Sequence, residues 1–196
     1  MAKNYLYLAP GVTFNEERHE YHKNGKQLSG VTGVIGDYLG ISFPETFVGE
    51  ARGEGLHVHK TIEEWIDNPH QRVNSVHPAV LWLTKTVVDA CKEKPIALYS
   101  EVLVSDGFQY ASSVDIIAEL PDGKLHLFDM KRSFKRPSVT LQLSMYKYFI
   151  EKYTDREVAA LTCASFRDKD YFPIFARTPR EVERILYKNQ VQVRKL

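Results

Sequence analysis

The spacing of apolar positions changes twice along the chain. Between residues 97 and 131, ALYSEVLVS, FQYASSVDIIAEL and KLHLFDMK are rich in β-branched and aromatic residues. Asp106-Gly107 and Asp122-Gly123 separate them, which predicts a three-strand antiparallel meander with hairpin turns. On either side the apolar spacing lengthens to a helical period. From about Glu45 to Asp67, Val48, Ala51, Ile62, Trp65 and Ile66 fall on one side of a predicted helix. Gly53 and Gly55 weaken its middle by about 1 kcal/mol each relative to Ala, and Asn68-Pro69 ends it. A second helix is predicted from Pro78 to about Lys94 and a third from about Ser138 to Tyr153. EVAALTCASF reads as a buried strand and DYFPIFA as a further short one. A last helix starts at Thr178, with Pro179 at its first position and Glu181 completing a capping box. The first 30 residues read as strands and turns. Asn24-Gly25 predicts a hairpin between Tyr21 and Leu28. SGVTGVIGDYLG predicts a short helix ending at Gly40 and capped by Ser29 or Thr32. The order predicts an α/β fold, a mixed sheet covered by helices. The meander separates it from a fully parallel doubly wound sheet.

Composition narrows this picture. At roughly 100–200 residues per domain, 196 residues make one domain. Its expected parts are an N-terminal hairpin and short helix over 1–45 and a core over 46–196. Hydrophobic residues at 43% and charged residues at 26% exclude disorder as the main state. No apolar run approaches the roughly 18 residues of a membrane span, and MAKNYLYLAPG lacks the apolar region of a signal peptide. The expected location is therefore cytoplasmic, in a bacterial or phage-infected cell. Cys91 and Cys163 suit a reducing compartment and are too few for an iron–sulfur cluster. A net charge of +1 gives no global case for nucleic acid, so that case rests on local clusters.

The chemistry concentrates in SVDIIAELPDGKLHLFDMK. Asp115 lies within one strand of the meander and Asp129 near the end of the next. Neighbouring strands lie about 4.8 Å apart, so a fitting register brings the two carboxylates together. Lys131 shares a face with Asp129, while Met130 points into the core and keeps its backbone carbonyl available. Carboxylate and carbonyl oxygens suit a hard cation such as Mg²⁺. An amine beside a metal can orient or deprotonate the attacking water, or stabilise phosphate charge. D-x-K alone is a common cross-strand surface pair. The apolar strand before it and the Asp on the preceding strand set this one apart.

The ordered motifs resemble the PD-(D/E)xK nucleases, in the branch of RecB-type and phage exonucleases. The likeness extends to small phage nucleases and to the mitochondrial genome maintenance exonuclease. KNGKQLSGVTGVIGDYL resembles the branch's "nG..lpSVT.il" segment, and GLHVH, continuing into KTIEEW, resembles "GT.vH". SEVLV carries Glu101 where a strand glutamate is common. SSVDII is similar to "Gt.D.i", FDMKRS to "iD.Kts" and LQLSMY to "QxxxY". Together these span about residues 20–150. Ser112 stands where glycine is usual, Leu56 where threonine is, and Arg132 where another threonine is. None of these departures removes a metal ligand.

The resemblance implies a restriction-endonuclease-like core binding one or two Mg²⁺ or Mn²⁺ ions. Asp115, Asp129 and the Met130 carbonyl would ligate, and His59 would complete the set, with His57 its competitor. Lys131 would act on the attacking water. Glu101 would bind a second metal or hold a metal-bound water. Gln142 would orient Lys131 or the DNA, with Tyr146 behind it. Glu63, one turn after His59, is either a hydrogen-bond partner of the histidine or an exposed helix acid. Packing is the alternative role for Gln142 and Tyr146, and a strand-edge charge for Glu101.

The loop KRSFKR places Arg132, Ser133, Lys135 and Arg136 beside this centre, where basic groups would hold phosphates. Arg180, Arg184 and Lys188 form a second basic stripe, opposite Val182, Ile185, Leu186 and Val193. Tyr38, Phe43, Phe47 and Trp65 are either core or a stacking platform for unpaired bases. The expected activity is a metal-dependent DNA exonuclease acting on single- or double-stranded ends in recombination or repair, with a single-strand annealing protein as a conceivable phage partner. The alternatives are a nicking or structure-specific endonuclease and a nucleic-acid-binding module with a weak site.

Overall fold

The computed structural model describes residues 6–41, 50–67 and 78–188. Phe43, Phe47, Val48, Asn68-Pro69 and Val193 lie outside them, as do the side chains of Ala51 and Leu56. The elements are β1 (Val12–Asn15), β2 (Glu20–Lys23), β3 (Lys26–Gly30), α1 (Val31–Leu39), α2 (Glu50–Asp67), α3 (Pro78–Ala90), β4 (Ala97–Ser105), β5 (Tyr110–Glu119), β6 (Leu125–Lys131), α4 (Arg136–Tyr153), β7 (Val158–Ser165), β8 (Asp170–Pro173) and α5 (Pro179–Leu186). The architecture is α/β, an eight-stranded mixed sheet flanked by helices. No described helix is long and apolar enough to cross a membrane.

Local chemistry accounts for most boundaries. Asn24 and Gly25 both take positive φ, 50° and 75°, the conformation a two-residue hairpin with the strands' twist requires. In the longer β4–β5 connection, Asp106 is buried and its carboxylate accepts the N–H groups of Phe108, Gln109 and Tyr110. Thr178 and Glu181 form the expected capping box of α5.

Three helix ends differ from expectation. Gly30 is the N-cap of α1, and no side chain caps it. The Ser29 amide is engaged by the Gln109 carbonyl, which holds Ser29 in β3; Thr32 already lies inside the first turn. Helix α3 stops at Ala90, short of Lys94; Pro95 disfavours helical backbone at Lys94 itself. Helix α4 starts at Arg136, two residues early, since Pro137 is tolerated in a first turn that needs no amide donor.

The sheet buries both faces by simple alternation. Ile116, Phe128, Met130 and Ala164 pack with Val58, Ile62, Leu83 and Val87 of α2 and α3. Ile117, Leu127, Leu161 and Cys163 pack with Leu143, Met145, Tyr146 and Phe149 of α4. Each Val, Leu, Ile, Phe or Met side chain among them, wholly removed from water, contributes about 1.5–3 kcal/mol.

The centre of the sheet positions the site. Strands β4 and β5 pair antiparallel, with Ser100 opposite Ile116 and Val102 opposite Val114, so Glu101 and Asp115 occupy the same row. The β5–β6 ladder ends at Ile116 with Phe128. One step further, the same register sets Asp115 against Asp129. Beyond that point β5 instead meets β3, in a short parallel pairing at Tyr110 and Ala111. Strand β6 continues beside β7 in parallel, with Asp129 next to Cys163. Three acids, Glu101, Asp115 and Asp129, therefore stand in one row across three strands, where the central ladder opens.

Candidate metal centre

Like charges set opposite one another in a sheet are destabilising, so what compensates this row defines its chemistry. Asp129 is fully buried, and its Oδ1 accepts from Lys131 Nζ at 2.9 Å. Its second oxygen, Oδ2, is buried with no hydrogen-bond partner. Asp115 Oδ2 accepts the Met130 amide at 2.6 Å. The carboxylate thus takes the place of the backbone acceptor lost where β5 and β6 part. The Met130 side chain is buried in the core as expected. Helix α2 brings His59 in from the other side. Its Nδ1 lies 3.6 Å from Glu101 Oε1 and 3.9 Å from Asp115 Oδ1. His57 is exposed, so His59 is the histidine at the site. Glu63 is half-buried on α2.

One ligand atom each of His59, Glu101 and Asp115 lie within 4.8 Å of one another, a group able to hold a metal ion. Exposure rises from buried Asp129 through Asp115 and half-buried His59 to exposed Glu101. The centre therefore opens to solvent on the Glu101 side.

Glu101 has φ +48° in the middle of a strand. This left-handed backbone is uncommon outside glycine and costs about 1–2 kcal/mol. The Ser113 hydroxyl holds the resulting carboxylate by donating to Oε2 at 2.7 Å.

Charges at the site are mutually dependent. Burial opposes the imidazolium of His59, but the Asp115 and Glu101 carboxylates outweigh it and raise its pKa to about 9. Burial likewise opposes the Lys131 ammonium, and Asp129 and Asp115 more than compensate, holding it above the ordinary lysine range. Both aspartates are pushed up, foremost by burial, against the downward pull of the nearby cations. Two buried carboxylates thus share two cations, and one buried oxygen remains unpartnered. A divalent cation fits His59, Glu101 and Asp115 and would relieve the repulsion in the row; Asp129, expected as a ligand, lies next to this group in the row but outside it.

Behind the acids, Gln142 Nε2 donates to Tyr146 Oη at 2.6 Å, and Tyr146 Oη lies 3.0 Å from Ser112 Oγ. Tyr146 is fully buried, and its phenol is raised by burial and then by Asp129 and Asp115. The hydrogen bond found for Gln142 is to Tyr146 rather than to Lys131. The loop Arg132–Lys135 leaves β6 directly after Lys131. Arg132, Lys135 and Arg136 are exposed and Ser133 is half-buried. Phe134 anchors the loop by stacking on Phe172 at 4.2 Å between ring centroids.

Other expected features lie elsewhere. Arg180 and Arg184 are exposed on α5, while Val182, Ile185 and Leu186 are buried; the helix ends at Leu186, so the exposed Lys188 lies beyond it and the expected stripe is two residues long. Tyr38 is 45% exposed and lines an open cleft of about 730 Å³ with Tyr21, Ser29, Tyr110 and Lys188. Trp65 is half-buried. Cys91 and Cys163 are free and buried.

Sequence reasoning missed three contributors. Ser113 holds Glu101, and Ser112, seen only as a departure from glycine, links to Tyr146. Tyr21 of β2 is buried, and its phenol is raised first by that burial, with the Ser112 hydroxyl pulling down and Glu101 and Asp115 pushing up. The meander register could have found Ser113, two residues before Asp115 on its face. The parallel β3–β5 contact that brings Tyr21 in leaves no comparable signal.

No family model matches the chain, and no curated protein matches it.

Proposed function

We propose that this chain is a divalent-metal-dependent deoxyribonuclease with a restriction-endonuclease-like core, acting as an exonuclease. The observation that carries the reading is the His59–Glu101–Asp115 group, set beside the unpartnered Asp129 oxygen and Lys131. The motif order of the PD-(D/E)xK nucleases supports it from the sequence side. His59, Glu101 and Asp115 would hold the ion, Mg²⁺ or Mn²⁺, with Asp129 next to them in the row.

A bound cation of this kind supplies positive charge to a phosphate oxygen and lowers the pKa of the attacking water. The chain's own groups do the rest. The Met130 amide fixes Asp115, and Lys131 fixes Asp129. Lys131, held as an ammonium, donates toward the phosphate or the water and offsets charge that develops in the transition state. Ser113 aims Glu101 at the open side, where substrate enters. Tyr146, locked by Ser112 and Gln142, closes the site from behind and excludes water.

The test is to incubate the protein with end-labelled linear DNA, single- and double-stranded, and with closed circular DNA. Mg²⁺, Mn²⁺ and EDTA are compared, with Lys131→Ala alongside. The reading predicts metal-dependent loss of linear DNA, intact circles, and a fall of at least 100-fold, about the low end of a positioned proton-transfer or charge-stabilising group, in the variant. Nicked circles would make the enzyme an endonuclease. No cleavage by the folded protein in either metal would refute a nuclease.

A further inference from the structure

Strands β6 and β7 run parallel, so their carboxyl ends lie at one edge of the sheet, where open α/β sheets receive ligands. Asp129 and Lys131 end β6 at this edge. The chain leaves it twice, as the loop Arg132–Lys135 and as the turn Phe166–Lys169 between β7 and β8. The two segments are bolted together. The Phe166 amide donates to the Lys131 carbonyl at 3.0 Å, and the Arg167 amide to the Arg132 carbonyl at 3.1 Å. Ser165 Oγ is buried, donates to Asp168 Oδ2 at 2.5 Å and lies 3.1 Å from the same Arg132 carbonyl. Phe134 of one segment stacks on Phe172 beyond the other, with 8° between the ring planes, and the Arg136 guanidinium lies 5.5 Å over Phe134. The β7–β8 turn is therefore placed rigidly against the loop that follows Lys131.

Its charges are disposed for binding. Arg167 and Lys169 are exposed, and no described carboxylate lies within ion-pair distance of either. The neighbouring acids Asp168 and Asp170 are held by local hydrogen bonds, Asp168 accepting from Ser165 and Asp170 from the Tyr171 amide, so neither is turned to pair with the two cations. The two cations and Arg132, Lys135 and Arg136 are carried by two segments joined at the edge that carries the acids.

We propose that the β7–β8 turn is a phosphate-binding subsite for a nucleic-acid strand, in which Arg167 and Lys169 hold backbone phosphates next to those held by Arg132, Lys135 and Arg136. This rests on the nuclease reading and adds a second element to its substrate channel. Contacts of this kind carry no base specificity; they set affinity, register and salt dependence.

The test measures binding of labelled single-stranded and duplex oligonucleotides by anisotropy across a salt series, in EDTA so that no strand is cut. The parent is compared with Arg167→Gln/Lys169→Gln and with Lys92→Gln/Lys94→Gln. The second pair removes the same charge before β4, at the opposite end of the sheet. Substitutions at exposed positions such as these leave stability nearly unchanged. The expected result is a log–log salt slope shallower by about 1.4 for single strands or about 1.8 for duplex in the first variant. Its Mn²⁺ affinity and the slope of the control pair should be unchanged. An unaltered slope, or an equal change in the control, would overturn the subsite while the parent still binds and cuts. A parent that neither binds nor cuts DNA would remove the nuclease reading and the subsite with it.

Discussion

Single residues here carry opposite electrostatic histories. His59 keeps its proton because two carboxylates face it. His126 on β6 loses its proton because nothing charged does. Its Nδ1 lies 3.6 Å from Cys91 Sγ, its Nε2 lies 2.8 Å from Thr162 Oγ1, and its ring stacks on Phe128 at 4.2 Å. Burial alone depresses its pKa from 6.5 to about 4. Linkage fixes the sign. Above pH 6.5 the residue is neutral in both states and costs nothing. As pH falls through 6.5 the unfolded chain takes up a proton that the folded chain refuses until about pH 4. Stability is therefore lost across that window, by about 2 kcal/mol at pH 5 for this residue. Denaturant titration at pH 7 and pH 5 should show the parent losing about 2 kcal/mol of stability relative to His126→Gln. A variant that weakens just as much between those pH values would show that His126 is not the acid-sensitive group. His59 and Asp129, both raised, gain stability as pH falls from 7 to 5, but equally in the two proteins, so the difference between them isolates His126.

Among the elements, β4 gives up backbone comfort to deliver a side chain. Glu101 at φ +48° costs about what a glycine there would relieve. Glu101→Gly should accordingly leave unfolding free energy unchanged or raise it by up to about 1 kcal/mol. Its strand neighbour Val102→Gly should lower it by more than about 2 kcal/mol, since Val102 is buried. Chemical denaturation of both variants decides this. A clear loss in Glu101→Gly would mean that the carboxylate's bond to Ser113 outweighs the strain. That strain left no trace in the sequence, because SEVLVS alternates like any strand. The hairpins were legible, since Asn24-Gly25 and Asp122-Gly123 are local signals that need no knowledge of the rest of the chain. Asp115, Asp129 and Lys131 were legible for the same reason: strand alternation and one short turn set their convergence. His59 was reachable only through the motif order, because α2 meets the site by tertiary packing. The N-cap of α1 was misplaced because the Ser29 amide is claimed by Gln109, a partner distant in sequence.

Across the whole molecule, the sheet assembles a charge arrangement that the protein alone leaves incomplete. Three acids in a row, two shared cations and one buried oxygen without a partner make the centre costly unless an ion completes it. Two apolar layers hold the central strands rigid, and the basic loop and turn flank the open edge. The most direct test of the metal centre is titration calorimetry of Mn²⁺ into the protein, the parent beside Asp115→Asn and Glu101→Gln. The expected result is a saturable site in the parent, lost in Asp115→Asn and weakened at least tenfold in Glu101→Gln. Mn²⁺ at about 100 times the parent's dissociation constant should also stabilise the parent by about 2.7 kcal/mol, Glu101→Gln by no more than about 1.4 kcal/mol, and Asp115→Asn not at all. A parent that binds no Mn²⁺, or an Asp115→Asn variant that binds it unchanged, would contradict the account.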